Sequence, residues 1–312
     1  MNGRFVWLLR RELWEARTVW LAPAICAAII LGFELIAALW AHSITIEDLG
    51  GHRLAELHDN ATPERVVAAA SAAHALVGVP FAILVWFTQL FYALDSIFGE
   101  RRDRSILFWK SLPVSDAEAV LAKLTVAAVI MPAAAAVALV ATQLGMSLIA
   151  SVKLGGLGFL QGVIWSPAVW GGSLLVTLYL LLATAVWYLP LLGWYLLVSA
   201  WAPRSPLMYA TLPPSALMLA EWIVFRTHYV SKIVFERVGN LGMMADAFDG
   251  FGAARGFGFI FGKQQLEAAR PLYEYMRPAY FLASPDVWLG VLVAAGFVAG
   301  AIWVRRNRDE AA

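Results

Sequence analysis

Residues 124–150 read LTVAAVIMPAAAAVALVATQLGMSLIA, a run without a single Asp, Glu, Lys or Arg. A helical span of a bilayer core roughly 30 Å thick needs about 20 consecutive apolar residues, and this run exceeds that length. Five further stretches meet or approach it. The six predicted spans cover residues 19–41, 75–98, 124–150, 169–202, 207–225 and 287–304. The sequence therefore predicts an all-α, polytopic membrane protein with one transmembrane domain over residues 1–312.

Composition supports the same class. The chain is 61% hydrophobic and 14% charged, with a mean hydropathy of +0.70, whereas soluble domains are roughly 45–50% apolar and about 25% charged. Its 14 Trp and 9 Tyr suit the two lipid–water interfaces. The net charge of +1 gives no basic face for nucleic acid, so we expect no nucleic-acid partner. The single cysteine, Cys26, lies in the first apolar run and carries no information about compartment.

The fourth stretch is ambiguous in length. As one helix, residues 169–202 would be roughly 50 Å long, yet they contain no polar turn at which a hairpin could reverse. Pro190 predicts a kink, because proline removes one backbone hydrogen bond. Counting one kinked span places both termini and the basic clusters in the cytoplasm, as the positive-inside rule expects. These clusters are Arg4, Arg10, Arg11 and Arg17; Arg101, Arg102, Arg104 and Lys110; Arg204; and Arg305, Arg306 and Arg308.

Two further regions follow from this topology. Residues 226–286 form a long outer loop between spans five and six. Residues 3–18 predict an amphipathic helix that lies in the headgroup region before the first span. Its predicted apolar face consists of Phe5, Leu9, Leu13 and Ala16.

Two carboxylates inside predicted spans are candidates for a translocation route. A charge near the middle of the bilayer costs roughly 2.5–3.5 kcal/mol on insertion scales, so Glu34 and Glu221 must face protein or a watery cavity. A hydrogen-bonded structural carboxylate is the alternative interpretation of each. Asp95 lies near the end of the second span, where we expect an ion pair with Arg101.

The chain carries no recognisable catalytic, cofactor or metal motif. Gly262-Lys263 fails the phosphate-loop pattern because Phe257 and Gln264 occupy required positions. His52 and His58 lack the spacing of a helical zinc site. Asp246 and Asp249 are the only close acidic pair in the longest loop, and their spacing also suits a solvated turn. We therefore expect no enzymatic site, cofactor or metal on this chain.

The segment between spans two and three, residues 98–123, reads FGERRDRSILFWKSLPVSDAEAVLAK. Pro113 breaks its short apolar stretch, and Ser115 with Glu118 has the capping-box pattern that begins a helix. A capped helix at the membrane surface is a suitable docking element for a cytosolic partner.

At this segment the chain resembles the membrane subunits of type-2 ABC transporters, which are mostly bacterial ATP-driven exporters. Three features carry the resemblance. They are Glu100-Arg101 followed by Ser111-Leu112-Pro113-Val114-Ser115 and by Glu118 and Lys123; Ser199 with Arg204-Ser205-Pro206; and Ser284-Pro285-Asp286-Val287-Trp288-Leu289-Gly290 leading to Arg305-Arg306. The resemblance extends to the span count and the long last outer loop.

The resemblance implies a permease in the bacterial inner membrane that couples to a separate ATP-hydrolysing subunit. It implies six spans, an interfacial N-terminal helix and a short coupling helix at about residues 115–121. ATP and Mg would be held by the ATPase subunit, and a second copy or a homologous permease would complete the complex. The implied ATPase-coupling residues are Glu100, Arg101, Arg102, Arg104, Ser115, Asp116, Glu118 and Leu121.

A gradient-driven secondary transporter or channel is the alternative. It would use Glu34 and Glu221 as ion or proton sites. No inverted repeat of charged or glycine-interrupted spans is visible in the sequence, which counts against it.

Overall fold

The computed structural model describes residues 2–40, 63–104, 114–153, 162–239, 241–249 and 272–307. Within these ranges the chain is almost entirely helical, and its one β-bridge joins Phe248 to Met276. Six helices are long and apolar enough to cross a membrane. The predicted all-α, multi-pass membrane protein is confirmed at that level.

The helices are numbered here in chain order. They are α1 (Asn2–Glu15), α2 (Thr18–Trp40), α3 (Pro63–Ser96), α4 (Phe98–Arg102), α5 (Asp116–Thr125), α6 (Met131–Lys153), α7 (Pro167–Trp187), α8 (Leu189–Trp201), α9 (Pro206–Phe225), α10 (Tyr229–Val238), α11 (Leu241–Ala247), α12 (Pro278–Ala283) and α13 (Pro285–Asn307). A π-helical segment, Val126–Ile130, joins α5 to α6, and a 3-10 turn spans Leu272–Tyr275.

The third span differs from its prediction. We expected a short coupling helix at residues 115–121 that was separate from a span beginning at 124. Instead, α5 continues through the π-helical segment into α6, so the helix is unbroken from Asp116 to Val152. Nothing in the sequence after Glu118 would end a helix, and Lys123 at the predicted boundary is buried rather than solvated. The segment predicted as a separate helix at residues 115–121 therefore forms the first turns of the third span.

The fourth stretch is one interrupted helix. It breaks at Tyr188, two positions before Pro190, and yields α7 and α8. Backbone hydrogen bonds continue across the break, from Tyr188 N to Thr184 O at 2.9 Å and from Leu192 N to Tyr188 O at 2.9 Å. The chain therefore passes through without reversing, in agreement with the predicted kink.

The core of the bundle lies where α8 packs against α13 and α3. Gly193 permits the close approach of α8 and α13, because a Cβ at this position would lie 3.1 Å from the carbonyl oxygen of Ala294. By contrast, only 6% of the residues in the most apolar stretch of α2 are buried, and the same fraction holds for α9. These two helices lie at the periphery, where large apolar side chains remain exposed for contact with lipid.

Helix α1 packs on the start of the third span. Leu9 and Leu13 contact the cluster that contains Val126 and Met131. On its exposed side, the guanidinium of Arg10 lies over the rings of Trp7 and Trp14, at 5.4 and 5.1 Å from their centroids. The predicted apolar face is confirmed for Leu9, Leu13 and Ala16, which pack there partly buried, and the most buried positions of α1 are the neighbouring Leu8 and Glu12.

The loop predicted at residues 226–286 contains ordered structure against the bundle. The guanidinium of Arg237 lies 3.9 Å from the ring centroid of Trp187 and donates hydrogen bonds to the carbonyl oxygens of Trp187 and Asp286. Trp187 Nε1 donates in return to the carbonyl oxygen of Arg237 at 3.2 Å. Helix α10 is thereby fixed to the junction of α7 and α8.

Candidate functional site

The start of α5 has the predicted capping box. Ser115 Oγ accepts a hydrogen bond from Glu118 N at 3.2 Å, and Glu118 Oε2 accepts from Ser115 N at 3.0 Å. Both residues are needed because the first backbone N–H groups of a helix have no partner within the helix. The capping prediction is confirmed, and Ser115 is exposed.

Beneath this capped end lies a set of buried ionic side chains that we call the charge cluster. Its members are Glu12 on α1, Glu100 on α4, Lys123 and Asp116 on α5, Arg305 on α13, and Arg11 on α1. Four of them are almost fully buried: Glu12 (5% exposed), Glu100 (7%), Lys123 (2%) and Arg305 (5%).

Glu100 is the centre of the charge cluster. Its Oε1 accepts from Lys123 Nζ at 3.0 Å and from Arg11 Nη2 at 3.1 Å. Its Oε2 accepts from Arg305 Nη1 at 2.7 Å. One carboxylate on α4 thus contacts cations from three other helices.

The remaining contacts extend the cluster outward. Lys123 Nζ also donates to Glu12 Oε1 at 2.9 Å, and Tyr92 OH donates to Glu12 Oε2 at 2.8 Å. Arg305 Nε donates to Asp116 Oδ1 at 3.0 Å. Both ends of α5 are therefore tied, one to α13 and the other to α1.

The charges within the cluster balance. Three cations, Arg11, Lys123 and Arg305, meet three carboxylates, Glu12, Glu100 and Asp116. Buried charges are tolerated only when they are paired and hydrogen-bonded. Removing one partner of such a pair leaves an uncompensated buried charge and costs about 3–5 kcal/mol. The cluster therefore fixes the relative positions of α1, α4, α5 and α13.

The half-buried Arg11 connects the cluster to the surface. Its Nε donates to Glu15 Oε1 at 2.8 Å. Burial lowers the pKa of Arg11, but its hydrogen bond to Glu15 and the negative charges of Glu12 and Glu100 outweigh burial, so the pKa lies above its ordinary value. Arg11 therefore stays charged and keeps the cluster balanced.

Two of the predicted ATPase-coupling residues point into the protein. Glu100 is buried in the charge cluster. Arg101 Nη1 donates to the carbonyl oxygens of Ser199 and Ala200, at 3.3 and 2.7 Å, near the end of α8. We therefore revise the role expected for these two residues from partner contact to internal support.

The other predicted coupling residues lie toward the surface. Exposed members are Arg102, Arg104, Ser115 and Leu121, while Glu118 is intermediate and Asp116 is partly covered by Arg305. Arg102 pairs with Asp103 at 3.0 Å and with Asp95 at 4.0 Å. The expected pair of Asp95 with Arg101 is thus wrong, because Arg101 is turned toward α8.

Ser199 joins α8 to α4. Its hydroxyl oxygen accepts from Ile97 N at 3.1 Å and from Phe98 N at 2.9 Å, which satisfies two backbone donors where α3 gives way to α4. The side chains of Ser199 and Arg101 therefore both hold α4 against the end of α8.

The two route candidates do not come together. Glu221 Oε1 accepts from Tyr229 N at 2.6 Å and Oε2 accepts from Val230 N at 2.8 Å, so this carboxylate caps the first turn of α10. Glu34 lies on the peripheral helix α2. Neither residue lines a cavity that lies between α3, α6 and α7. Their role in a translocation route stays a prediction.

The acidic pair of the longest loop is divided between different partners. Asp246 Oδ2 accepts from Ser284 Oγ at 2.7 Å, and Asp249 pairs with Arg277 at 3.1 Å. In the parts of the chain that the structure describes, no three His, Cys, Asp or Glu residues group as metal ligands. His52 and His58 lie outside the described residues.

Sequence reasoning missed four members of the charge cluster: Arg11, Glu12, Lys123 and Arg305. Glu12 had a usable signal, since it follows Leu8 by four positions and so shares the face of α1 that packs on the bundle. Lys123 and Arg305 read as ordinary basic residues flanking spans. Only the folded structure shows that they turn inward toward Glu100.

Comparisons of the chain with models of protein families, with curated proteins and with solved structures find no match.

Proposed function

We propose that this chain is the permease subunit of a type-2 ABC exporter, and that it couples ATP hydrolysis by a separate subunit to substrate movement across the membrane. The observation that carries the proposal is the capped start of α5, an exposed helix end whose base is ionically tied to α1, α4 and α13. A partner that displaces this end acts on four helices together.

The coupling step follows from these contacts. The partner ATPase, which would hold ATP and Mg, contacts the surface formed by Arg102, Arg104, Ser115 and Glu118. Its closure on ATP displaces α5. The ion pairs of Lys123 and Arg305 transmit this displacement to α1, α4 and α13. ATP drives transport only if it favours one arrangement of the spans over the other.

The π-helical segment, Val126–Ile130, is the point at which the third span can deform. Such segments are uncommon and frequently occur at functional sites. Gln89 Nε2 donates to the carbonyl oxygen of Ala127 at 2.7 Å, so a side chain of the second span satisfies one of its backbone groups. Movement of α5 therefore reaches α3 and α6 through this segment.

The proposal includes the remaining expectations of the resemblance. The chain resides in the bacterial inner membrane, surrounded by lipid, with both termini and the charge cluster on the cytoplasmic side. A second copy or a homologous permease completes the transport unit. Residues 226–286 lie on the outer side.

The gradient-driven alternative has weaker support. It assigns ion or proton sites to Glu34 and Glu221, but the oxygens of Glu221 are occupied by the backbone of α10. Glu34 and Glu221 share no contact among the described residues. A site for a transported ion needs several converging ligands, and these two carboxylates do not provide them.

Affinity purification of the tagged chain from its native membranes tests the proposal. We expect a separate polypeptide with Mg-dependent ATPase activity to co-purify. Arg102→Gln combined with Arg104→Gln should release that polypeptide, because both side chains are exposed on the proposed contact surface. Arg306→Gln, which removes an exposed arginine at the end of α13, is the control and should retain it.

Two results would contradict the proposal. One is a wild-type complex without ATPase activity that still transports when reconstituted with an ion gradient. The other is labelling of Ser115→Cys from the outer side, measured with Cys26 replaced by Ser, since Cys26 is the only native cysteine.

A further inference from the structure

A cavity of about 200 Å³ lies inside the bundle, between α3, α6 and α7. Helix α11 contributes Met244 to its wall, the residue after that helix contributes Phe248, and the 3-10 turn contributes Tyr273. Most of the lining is apolar, including Phe81, Leu139 and Val176. An engineered apolar cavity of about 150 Å³ binds benzene, so the space here suits a molecule of one or two rings.

One end of the cavity is polar and is organised by His74. The ring nitrogens of His74 contact Ser173 Oγ at 3.0 Å and Ser147 Oγ at 3.4 Å. Its backbone oxygen accepts from Gln143 Nε2 at 3.1 Å. This last bond fixes the orientation of the Gln143 amide, because the opposite orientation would set an amide oxygen against a carbonyl oxygen.

Three buried polar atoms at this end have no hydrogen-bond partner among the described residues: Ser71 Oγ, Gln143 Oε1 and Trp170 Nε1. Ser71 and Gln143 line the cavity and are only 6% and 2% exposed. Trp170 packs edge-on against His74, with ring centroids 5.3 Å apart. Leaving a buried polar atom without a partner is unfavourable, so the two that belong to lining residues, Ser71 Oγ and Gln143 Oε1, indicate hydrogen-bonding groups available to a ligand.

We infer that this cavity binds an uncharged molecule with an apolar body of one or two rings and a hydroxyl group at one end. Its hydroxyl donates to Gln143 Oε1 and accepts from Ser71 Oγ. The ligand is uncharged because none of the described residues that line the cavity is Asp, Glu, Lys or Arg, and a buried unpaired charge is strongly unfavourable. The rings fill the apolar part, next to Phe81 and Val176.

This site lies within one chain and needs no ATPase subunit. It is separate from the charge cluster, whose residues do not line the cavity. The inference therefore stands or fails independently of the proposed exporter function.

Three related probes test the inference: 2-naphthol, naphthalene and 2-naphthoate. Binding to the purified full chain in lipid nanodiscs is measured by isothermal titration calorimetry and by thermal unfolding. We expect 2-naphthol to bind saturably with one site per chain and to raise the unfolding temperature. Naphthalene should bind about tenfold more weakly, which corresponds to about 1.4 kcal/mol, because it lacks the hydroxyl that bonds to Gln143 and Ser71. 2-Naphthoate should not bind.

Ser71→Ala identifies the site. It should reduce the preference for 2-naphthol over naphthalene toward unity, while the free protein unfolds at the same or a higher temperature because an unpaired buried hydroxyl is gone. Ser96→Ala on the same helix is the control, since Ser96 Oγ already donates to the carbonyl oxygen of Ala93 at 3.1 Å. That control should keep the full preference.

Three results would overturn the inference. Equal affinity for 2-naphthol and naphthalene would mean partition into an apolar space or into lipid. An undiminished preference in Ser71→Ala would place the hydroxyl elsewhere. Absence of saturable binding would mean that only water forms hydrogen bonds with Ser71 Oγ and Gln143 Oε1.

Discussion

Lys123→Met probes the charge cluster directly. Lys123 is only 2% exposed. Methionine keeps the length of its side chain but removes the ammonium group, whose nitrogen lies 2.9 Å from Glu12 Oε1 and 3.0 Å from Glu100 Oε1. The substitution leaves the cluster with one more carboxylate than cations. Loss of one partner of a buried pair costs about 3–5 kcal/mol, a large part of the roughly 5–15 kcal/mol of typical net stability.

The expected shift of the unfolding temperature is a decrease of about 5–10 °C, given the enthalpy scale of domains of this size. Thermal unfolding of the purified chain, followed by fluorescence-detected size exclusion, measures it. Lys232→Met is the matched control, because Lys232 is 70% exposed and lies 3.9 Å from Glu236. An exposed pair of this kind contributes about 0–1 kcal/mol.

Glu12→Gln in combination with Lys123→Met sharpens the test. The double variant restores the balance of charge, so it should be more stable than the sum of the two single effects allows. If Lys123→Met unfolds within about 1 °C of Lys232→Met, the charge cluster does not fix these helices and the reasoning fails.

Three further substitutions test other contacts. Arg101→Met should cost about 1–3 kcal/mol, because it removes the side chain that donates to the carbonyl oxygens of Ser199 and Ala200. Arg102→Met, at an exposed position, should change the unfolding temperature little, and equal effects would contradict the assignment. Glu221→Gln should speed amide hydrogen exchange in the first turn of α10, because an NH2 group replaces one of the two oxygens that accept backbone N–H groups. Unchanged exchange would show that this cap does not stabilise α10. Gly193→Ala should destabilise the chain by about 1–3 kcal/mol, because the added methyl group would press against α13. Gly296→Ala, where no atom lies within 4 Å of the added Cβ, should be neutral or stabilising. A larger loss of stability in Gly296→Ala than in Gly193→Ala would refute the packing.

The spans could be predicted from sequence because a bilayer imposes a length and an apolar composition on each helix separately. Ser115 and Glu118 could be predicted for a similar reason, since a capping box is complete within four residues. Both predictions use information from neighbouring positions only. The boundaries between successive helices could be predicted less well. The helix that begins at Asp116, for example, continues into the third span without a break.

The charge cluster could not be predicted in this way, because it pairs residues far apart in the chain. Arg305 and Glu100 are 205 positions apart, and Lys123 and Glu12 are 111 apart. In the sequence each is a charge near the end of an apolar run, where solvated charges are ordinary. The residues next to Glu100 in the sequence do not indicate that it is buried. Glu100 is buried because Ser199 and Arg101 hold α4 against the core.

The charge cluster and the π-helical segment lie next to each other along the third span. Their positions determine which helices move when a partner displaces the capped start of α5. Lys123 is the last charged residue before Val126–Ile130. Rotating α5 about its own axis would separate Lys123 from two carboxylates at once, which is costly in a buried site. π-Helical segments are rare and occur frequently at functional sites, and the carbonyl oxygen of Ala127 in this one accepts a hydrogen bond from Gln89 on another span. A displacement at Ser115 is therefore expected to move α1, α4, α5 and α13 together and to bend the third span at Ala127, so that α6 changes its angle to α3 while the cluster stays intact.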